Sequence, residues 1–148
     1  GKKAVARLAE DLERGTNGHF PSPPRSAATL VLASDFYAPL AEWQARLAPL
    51  AAKCPEGVLL AVAAPIEEDF PFEGRTKLSR PGTGIDRILG RAETMRDAYL
   101  RRFAEQRDGL RKLATQFGWR LVTHTVGQSS LEGAARLKAQ IETFGAKA

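Results

Sequence analysis

The stretch that decides the fold is "TLVLASDFYAP", Thr29 to Pro39, which begins largely apolar and becomes polar at Ser34 and Asp35. With Ala28 before it, the run "ATLVLA" lacks the alternation of apolar and polar residues that a half-exposed strand shows. Such a run is typical of a strand covered on both faces in a parallel sheet. Pro39 suits the first turn of a helix. We therefore predict a buried strand that ends at Ser34 and Asp35, followed by a helix.

Two further apolar runs predict two more strands of the same sheet. They are "VLLAVAA", Val58 to Ala64, and "WRLVTHT", Trp119 to Thr125. Helical patterns separate the three runs, and a strand, helix, strand order implies a right-handed crossover between parallel strands. The first crossover has an apolar stripe at helical spacing, made of Leu40, Trp43, Leu47 and Leu50.

The second crossover contains an insertion and the longest predicted helix. The insertion, residues 65–84, has two turn signals that contain glycine and predicts a short hairpin. From Ile88 to Phe117 the apolar residues keep helical spacing, and Gly109 predicts a bend. One face of this helix is expected to meet the sheet and the other to remain in solvent. The first carries Met95, Tyr99, Phe103 and Leu110, and the second carries Arg96, Arg101, Arg107 and Arg111.

The two ends of the chain also have helical patterns. Lys2 to Arg14 is predicted as an amphipathic helix, and Ser129 with Glu132 forms a capping-box pattern that opens a last helix. Together the elements predict one α/β domain over residues 1–148, a three-layer Rossmann-like arrangement in which helices flank a parallel sheet. Three strands are few for a sheet of this kind.

The bulk composition excludes some classes of protein. The chain of 148 residues is 43% hydrophobic and 26% charged, and it has no run near the about 20 apolar residues that a membrane span needs. The net charge of +5 would suit an anionic partner, but the basic residues alternate with acidic ones, which argues against nucleic-acid binding. Cys54 is the only cysteine, so an internal disulfide is excluded. These features favour a soluble protein of the cytoplasm.

Ser34 and Asp35 are the first candidates for a binding site. Ligands of open parallel sheets bind beyond the carboxyl ends of the strands, which is where this pair stands. A carboxylate beside a hydroxyl can contact magnesium, although that ion needs about six oxygen ligands. Alternatively, both side chains accept backbone N–H bonds in the turn that follows the strand. Both interpretations stay open at this stage, and the structural one is favoured.

Other polar residues support an enzyme hypothesis only weakly. Glu67, Glu68 and Asp69 follow the second strand, and His124 lies near the end of the third. Together with Asp35 they would suit a metal-dependent hydrolase or a nucleotide-binding α/β enzyme. The favoured alternative is a solvated acidic turn and a structural histidine. The sequence contains no phosphate-binding loop, nucleophile elbow or dinucleotide fingerprint.

Three segments together resemble one bacterial family. They are "LVLASDFYAPLAEWQARLAPLA", "EEDFPFEGRTKL" and "GRAETMRDAYLRRFAEQRDGLRKLATQFGWRL". They are similar to the C-terminal half of the family called domain of unknown function 58, whose members have a domain like von Willebrand factor A. The resemblance runs from about Lys2 to Phe144 and implies the C-terminal portion of that fold.

The resemblance also implies a split metal site. Domains of this type build a metal-ion-dependent adhesion site from an Asp-x-Ser-x-Ser loop, a Thr, and an Asp at the end of the fourth strand. Asp35 is similar to that last acid, with Ser34 beside it, whereas these 148 residues contain no Asp-x-Ser-x-Ser. We therefore expect a fragment that lacks an N-terminal half. The fragment should hold no metal, and Mg²⁺ would bind only in the intact protein.

The same resemblance implies the functional context. It suggests a non-catalytic protein-interaction module that works beside a MoxR-type AAA+ ATPase in the maturation or assembly of other proteins, in the bacterial cytoplasm. A sheet that lacks a neighbour for its first strand is also expected to self-associate through that edge. No membrane or nucleic-acid partner is expected.

Overall fold

A computed structural model describes residues 29–80 and 85–145. The strands are β1 (Leu30–Ser34), β2 (Gly57–Ala63), β3 (Thr76–Arg80), β4 (Ile85–Leu89) and β5 (Arg120–Thr125). The α-helices are α1 (Leu40–Ala51), α2 (Pro65–Asp69), α3 (Arg96–Gln116) and α4 (Ser130–Gly145). The helix predicted at Lys2 to Arg14 lies outside the described residues. None of the described helices combines the length and the hydropathy that crossing a membrane requires.

The central sheet has the predicted arrangement. Its strand order is β1-β2-β5, and both pairs of neighbours are parallel. Leu59 in the middle strand lies opposite Leu32 on one side and Leu121 on the other. A hairpin is present as well, because β3 and β4 pair antiparallel, but only β3 lies in the insertion where it was predicted, and β4 follows at Ile85–Leu89. The α/β class with helices around a three-stranded parallel sheet is therefore confirmed.

The two faces of β2 bury two separate cores, because successive side chains of a strand point to opposite faces. On one face Leu59 and Ala61 pack against α1 and α3, in a cluster centred on Phe36, Leu47 and Leu110. On the other face Val58 packs with Val122 and with Phe144 of α4. Helices thus lie on both sides of the sheet, which gives the three layers.

Strand β1 differs from the prediction that both of its faces are covered. Its residues alternate between half-buried and exposed, and Val31 is 39% exposed. The physical reason lies in the position of α4, which packs against β2 and β5. At β1 the described elements cover only the face that meets α1 and α3. The prediction of a fully covered first strand was therefore wrong.

The long helix begins later than predicted. Ile88 belongs to β4, a short 3-10 turn spans Ala92–Met95, and α3 itself runs from Arg96 without a break through Gly109. At Gly109 the missing side chain lets Leu40 of α1 approach, since a Cβ there would lie 2.1 Å from Leu40 Cδ1. This glycine therefore serves close packing of two helices, and the predicted bend is not needed to explain it.

The predicted faces of α3 are partly correct. Leu110 is fully buried, and Arg101 and Arg111 are exposed. Met95, however, is 44% exposed, so its assignment to the sheet was wrong. Tyr99 and Phe103 are half-buried, and Tyr99 contacts Phe70 with a ring-centroid distance of 4.6 Å.

Two arginines of α3 were wrongly placed in solvent. Arg96 is half-buried because its Nε donates a hydrogen bond of 3.0 Å to the carbonyl oxygen of Phe70. Arg107 is half-buried as well, and its guanidinium carbon lies 5.0 Å from the centre of the Phe103 ring.

Candidate functional site

Ser34 and Asp35 form a polar turn at the carboxyl end of β1. The backbone N–H of Phe36 donates to Ser34 Oγ at 3.3 Å, and the N–H of Tyr37 donates to Asp35 Oδ1 at 3.2 Å. Ser34 Oγ also lies 3.4 Å from Asp35 Oδ1. Asp35 is exposed. Both side chains therefore have the structural role that the sequence favoured, and both residues line a groove at the edge of the sheet.

The turn places a buried phenylalanine in an unusual backbone conformation. Phe36 has φ = 57°, in the left-handed region, and its side chain is fully buried. A non-glycine residue there costs of order 1–3 kcal/mol, so its surroundings must hold it in place. Its ring packs on Trp43 with a centroid distance of 4.6 Å. From the other side, Gln106 Nε2 donates to the carbonyl oxygens of Phe36 at 2.8 Å and Ala38 at 2.9 Å.

Glu67 joins this turn to the end of β2. Its Oε2 accepts the backbone N–H of Ala64 at 2.7 Å, in the first turn of α2, and its carboxylate lies near enough to the hydroxyl of Tyr37 to raise the pKa of that group. Asp35 and Glu67 line the same groove of about 400 Å³, which the ends of β1 and β2 and the side chain of Val126 complete. Two acidic residues therefore line one groove at the carboxyl edge, in the region where sequence reasoning predicted a site.

The other predicted polar residues are not brought into this groove. Glu68 Oε2 accepts a hydrogen bond of 2.9 Å from Thr125 Oγ1, which ties α2 to the end of β5, and Asp69 is exposed. The acidic run is thus a short helix whose first two carboxylates are half-buried and bonded, rather than a solvated turn. His124 packs toward α4, because a Cβ added at Gly133 would lie 2.8 Å from its Nδ1.

A second groove lies on the other side of Tyr37. It has a volume of about 260 Å³ and is lined by Tyr37, Tyr99, Arg102, Phe103 and Gln106. Burial, together with the hydrogen bond and the negative charge of Glu67, raises the pKa of Tyr37 well above its usual range. Burial and the charge of Glu67 also raise the pKa of Tyr99, although the positive charge of Arg107 opposes this shift. Both hydroxyls are therefore neutral at physiological pH and can donate hydrogen bonds.

Sequence reasoning missed three residues that organise this region, namely Tyr37, Tyr99 and Gln106. Gln106 had one visible signal, since a polar residue there interrupts the apolar stripe of α3. The tyrosines had none, because their partners are far away in the sequence.

The chemistry of the donors limits what these grooves can bind. In residues 29–80 and 85–145, no three His, Cys, Asp or Glu side chains come close enough together to hold a metal ion. Ser34 and Asp35 remain the candidate ligands only for a site that further residues complete. Searches against family models, curated proteins and solved structures gave no match to this chain.

Proposed function

We propose that this chain is a protein-interaction module of the von Willebrand factor A-like type, without catalytic activity of its own. The observation that carries the proposal is the outer edge of β1. Within the described residues, β1 has β2 on one side and no strand on the other. An edge strand with free backbone groups is a ready template for pairing with another polypeptide segment.

The direction of the backbone groups identifies which residues would pair. The N–H of Leu30 donates to Glu56 O at 3.0 Å, toward β2. In a parallel pair alternate residues direct their N–H and C=O groups to opposite sides, so the groups of Val31 and Ala33 point to the open edge. The side chains of these two residues are also exposed. The edge therefore offers both backbone hydrogen bonds and apolar surface, which is the combination that strand addition uses.

The resemblance to the domain of unknown function 58 family supplies the proposed context. The strand order β1-β2-β5, with β1 outermost, is compatible with the C-terminal portion of a von Willebrand factor A-like sheet. In that arrangement the strand beside β1 comes from an N-terminal half, and Asp35 with Ser34 would meet a metal loop carried there, with Mg²⁺ as the ion. We propose a MoxR-type AAA+ ATPase as the partner of the intact bacterial protein in the cytoplasm.

Self-association is the most direct test of the β1 edge. We expect the purified chain to form dimers or larger species in sedimentation velocity experiments at high concentration. Ala33→Pro removes the outward N–H and should shift the population to monomer, because proline is tolerated on the open side of an edge strand but cannot donate to a new neighbour. Ala33→Ser keeps the N–H and serves as the matched control. A monomeric wild type, or equal association of both variants, would contradict the proposal.

The alternative is a metal-dependent hydrolase or nucleotide-binding enzyme that uses Asp35. The groove that Asp35 shares with Glu67 is the observation in its favour. Calorimetric titration with magnesium and turnover assays on generic phosphate and ester substrates separate the two. Magnesium binding or turnover that Asp35→Asn abolishes would favour the enzyme.

A further inference from the structure

The groove beside Tyr37 has the dimensions of a side-chain pocket. Its volume of about 260 Å³ lies below the range of roughly 300–1,000 Å³ that small-molecule sites occupy. Its walls are aromatic, with the rings of Tyr99 and Phe103 nearly parallel at a centroid distance of 6.2 Å. A pocket of this size and lining suits one or two side chains of a peptide.

Two arginines stand on either side of this aromatic stripe. Viewed along the axis of α3, where successive residues are about 100° apart, Arg102 and Arg107 are separated by about 140°. Tyr99 and Phe103 lie between them in this view. Arg102 lines the groove, is exposed, and has no ion-pair partner within the part of the chain that the structure describes. By contrast, Arg111 on the same helix is paired with Asp108. Arg102 is therefore a positive charge beside the groove that no described carboxylate pairs with.

Arg107 supplies the second observation. Its Nη1 is buried and has no hydrogen-bond acceptor among the described residues, while its guanidinium stacks over Phe103. A buried donor without an acceptor is unfavourable, but Arg107 does not line the groove, so its guanidinium contributes positive charge beside the aromatic rings rather than a direct contact with a ligand.

The carboxylates near the groove indicate how an acidic ligand would be oriented. Glu67 already accepts a hydrogen bond from Ala64 N–H and lies near the hydroxyl of Tyr37, and Asp35 lines the neighbouring groove. Both carboxylates lie on the side of the sheet edge. An acidic ligand would therefore place its carboxylate toward α3 and away from the strand ends.

We propose that this groove binds an acidic peptide segment of a protein partner. An Asp or Glu carboxylate is held by Arg102, with the charge of Arg107 adding to the attraction, and an adjacent aromatic side chain packs on Tyr99 and Phe103. The inference rests on the proposed function only in taking a protein as the partner, and it uses a surface that is separate from the β1 edge.

The test uses a fluorescein-labelled peptide Gly-Ser-Glu-Phe-Glu-Gly-Ser and its Gln-Phe-Gln counterpart, with binding to the whole chain measured by fluorescence anisotropy. We expect saturable binding of the acidic peptide alone, and a loss of affinity of about tenfold or more in Arg102→Gln/Arg107→Gln. Arg101→Gln/Lys112→Gln is the matched control, because it removes the same charge from the opposite face of α3. Arg102→Gln alone changes only an exposed residue, so its weaker binding tests the proposal even if the double variant is unstable.

Three results would overturn the proposal. They are equal weakening by both double variants, equal binding of the two peptides, and displacement of the peptide by inorganic phosphate or a single-stranded oligonucleotide at similar concentration. The Ala33→Pro experiment tests the β1 edge, which is a separate surface. Failure of the acidic-peptide proposal would therefore leave the proposed β1-edge interaction untouched, and failure of the β1-edge proposal would leave the acidic-peptide proposal untouched.

Discussion

Gln106 Nε2 lies 2.8 Å from the carbonyl oxygen of Phe36, across 70 positions of sequence. Together with the bond of 2.9 Å to Ala38 O, this contact fixes the turn after β1 on the side of α3. The turn carries Asp35 into one groove and Tyr37 into the other. The side-chain amide of Gln106 therefore positions residues of both grooves, although Gln106 lines only the groove beside Tyr37.

We predict that Gln106→Ala destabilises the protein by about 1–3 kcal/mol, because it leaves two part-buried carbonyl oxygens without their donor. Urea denaturation measures the loss. Gln116→Ala is the control, since Gln116 is exposed on the same helix and should change stability by no more than about 0.5 kcal/mol. Equal effects of the two substitutions would show that the Phe36 turn does not depend on the amide.

A second prediction concerns Arg96, whose Nε bond to Phe70 O of 3.0 Å holds the end of α2. Phe70 has φ = 44°, in the left-handed region that is unfavourable for a residue other than glycine, so surrounding contacts must hold the backbone there. Arg96→Ala should cost about 1–2 kcal/mol, while Arg101→Ala, at an exposed position, should stay within about 0.5 kcal/mol. Thermal unfolding of the two variants makes the comparison. If neither substitution changes the thermal stability, the hydrogen bond from Arg96 to Phe70 makes no measurable contribution to it.

The central sheet could be predicted from the sequence because its determinants are local. Each strand is a short apolar run. Two such runs that are joined by a helix are expected to pair in parallel in the same sheet. The hairpin was located only approximately, because the glycine-containing turn signals of the insertion indicated a reversal but not that its second strand would be Ile85–Leu89. Ile88 was misassigned because its spacing from Ala92 fits a helix, although it lies in β4 and is 60% exposed.

The candidate site was only partly predictable. The carboxyl ends of the strands located Asp35, since that rule depends on strand direction alone. The contacts of Glu67 with Tyr37 and of Glu68 with Thr125 depend on how α2 lies across the sheet edge, and no local pattern specifies that orientation. The exposure of Val31 likewise depends on which strands α4 covers.

A third prediction uses the two tyrosines, which are the only ones in the chain. Burial and the charge of Glu67 raise the pKa of both, so phenolate absorbance should appear in the folded protein above the usual value of about 10. Because the unfolded chain releases these protons first, folding stability should be full below about pH 10 and fall as the pH rises further. Ultraviolet pH titration of folded and urea-unfolded protein gives both curves.

Glu67→Gln sharpens this experiment. It removes the negative charge but keeps an oxygen acceptor, so the ionisation of Tyr37 should move to lower pH while burial still holds it above the usual value. Glu105→Gln removes an exposed carboxylate of α3 and should leave the titration unchanged. A curve that Glu67→Gln does not move would show that this carboxylate does not contact the tyrosine.

The last prediction concerns the packing of α1 on α3 at Gly109. Alanine is favoured over glycine in a helix by about 1 kcal/mol, so Gly109→Ala would stabilise an isolated α3. In the folded protein the new Cβ would lie 2.1 Å from Leu40 Cδ1, and overpacking of this kind costs about 1–3 kcal/mol. We therefore expect a net loss of stability in urea denaturation.

The double variant Leu40→Ala/Gly109→Ala tests the cause of that loss. Leu40→Ala alone should be destabilising, because it removes part of the contact between α1 and α3. If the steric explanation is right, adding Gly109→Ala to Leu40→Ala should raise stability, since the clash is gone and the gain in helix propensity remains. Additive losses from the two substitutions would instead mean that Gly109 is needed for a reason other than the approach of Leu40.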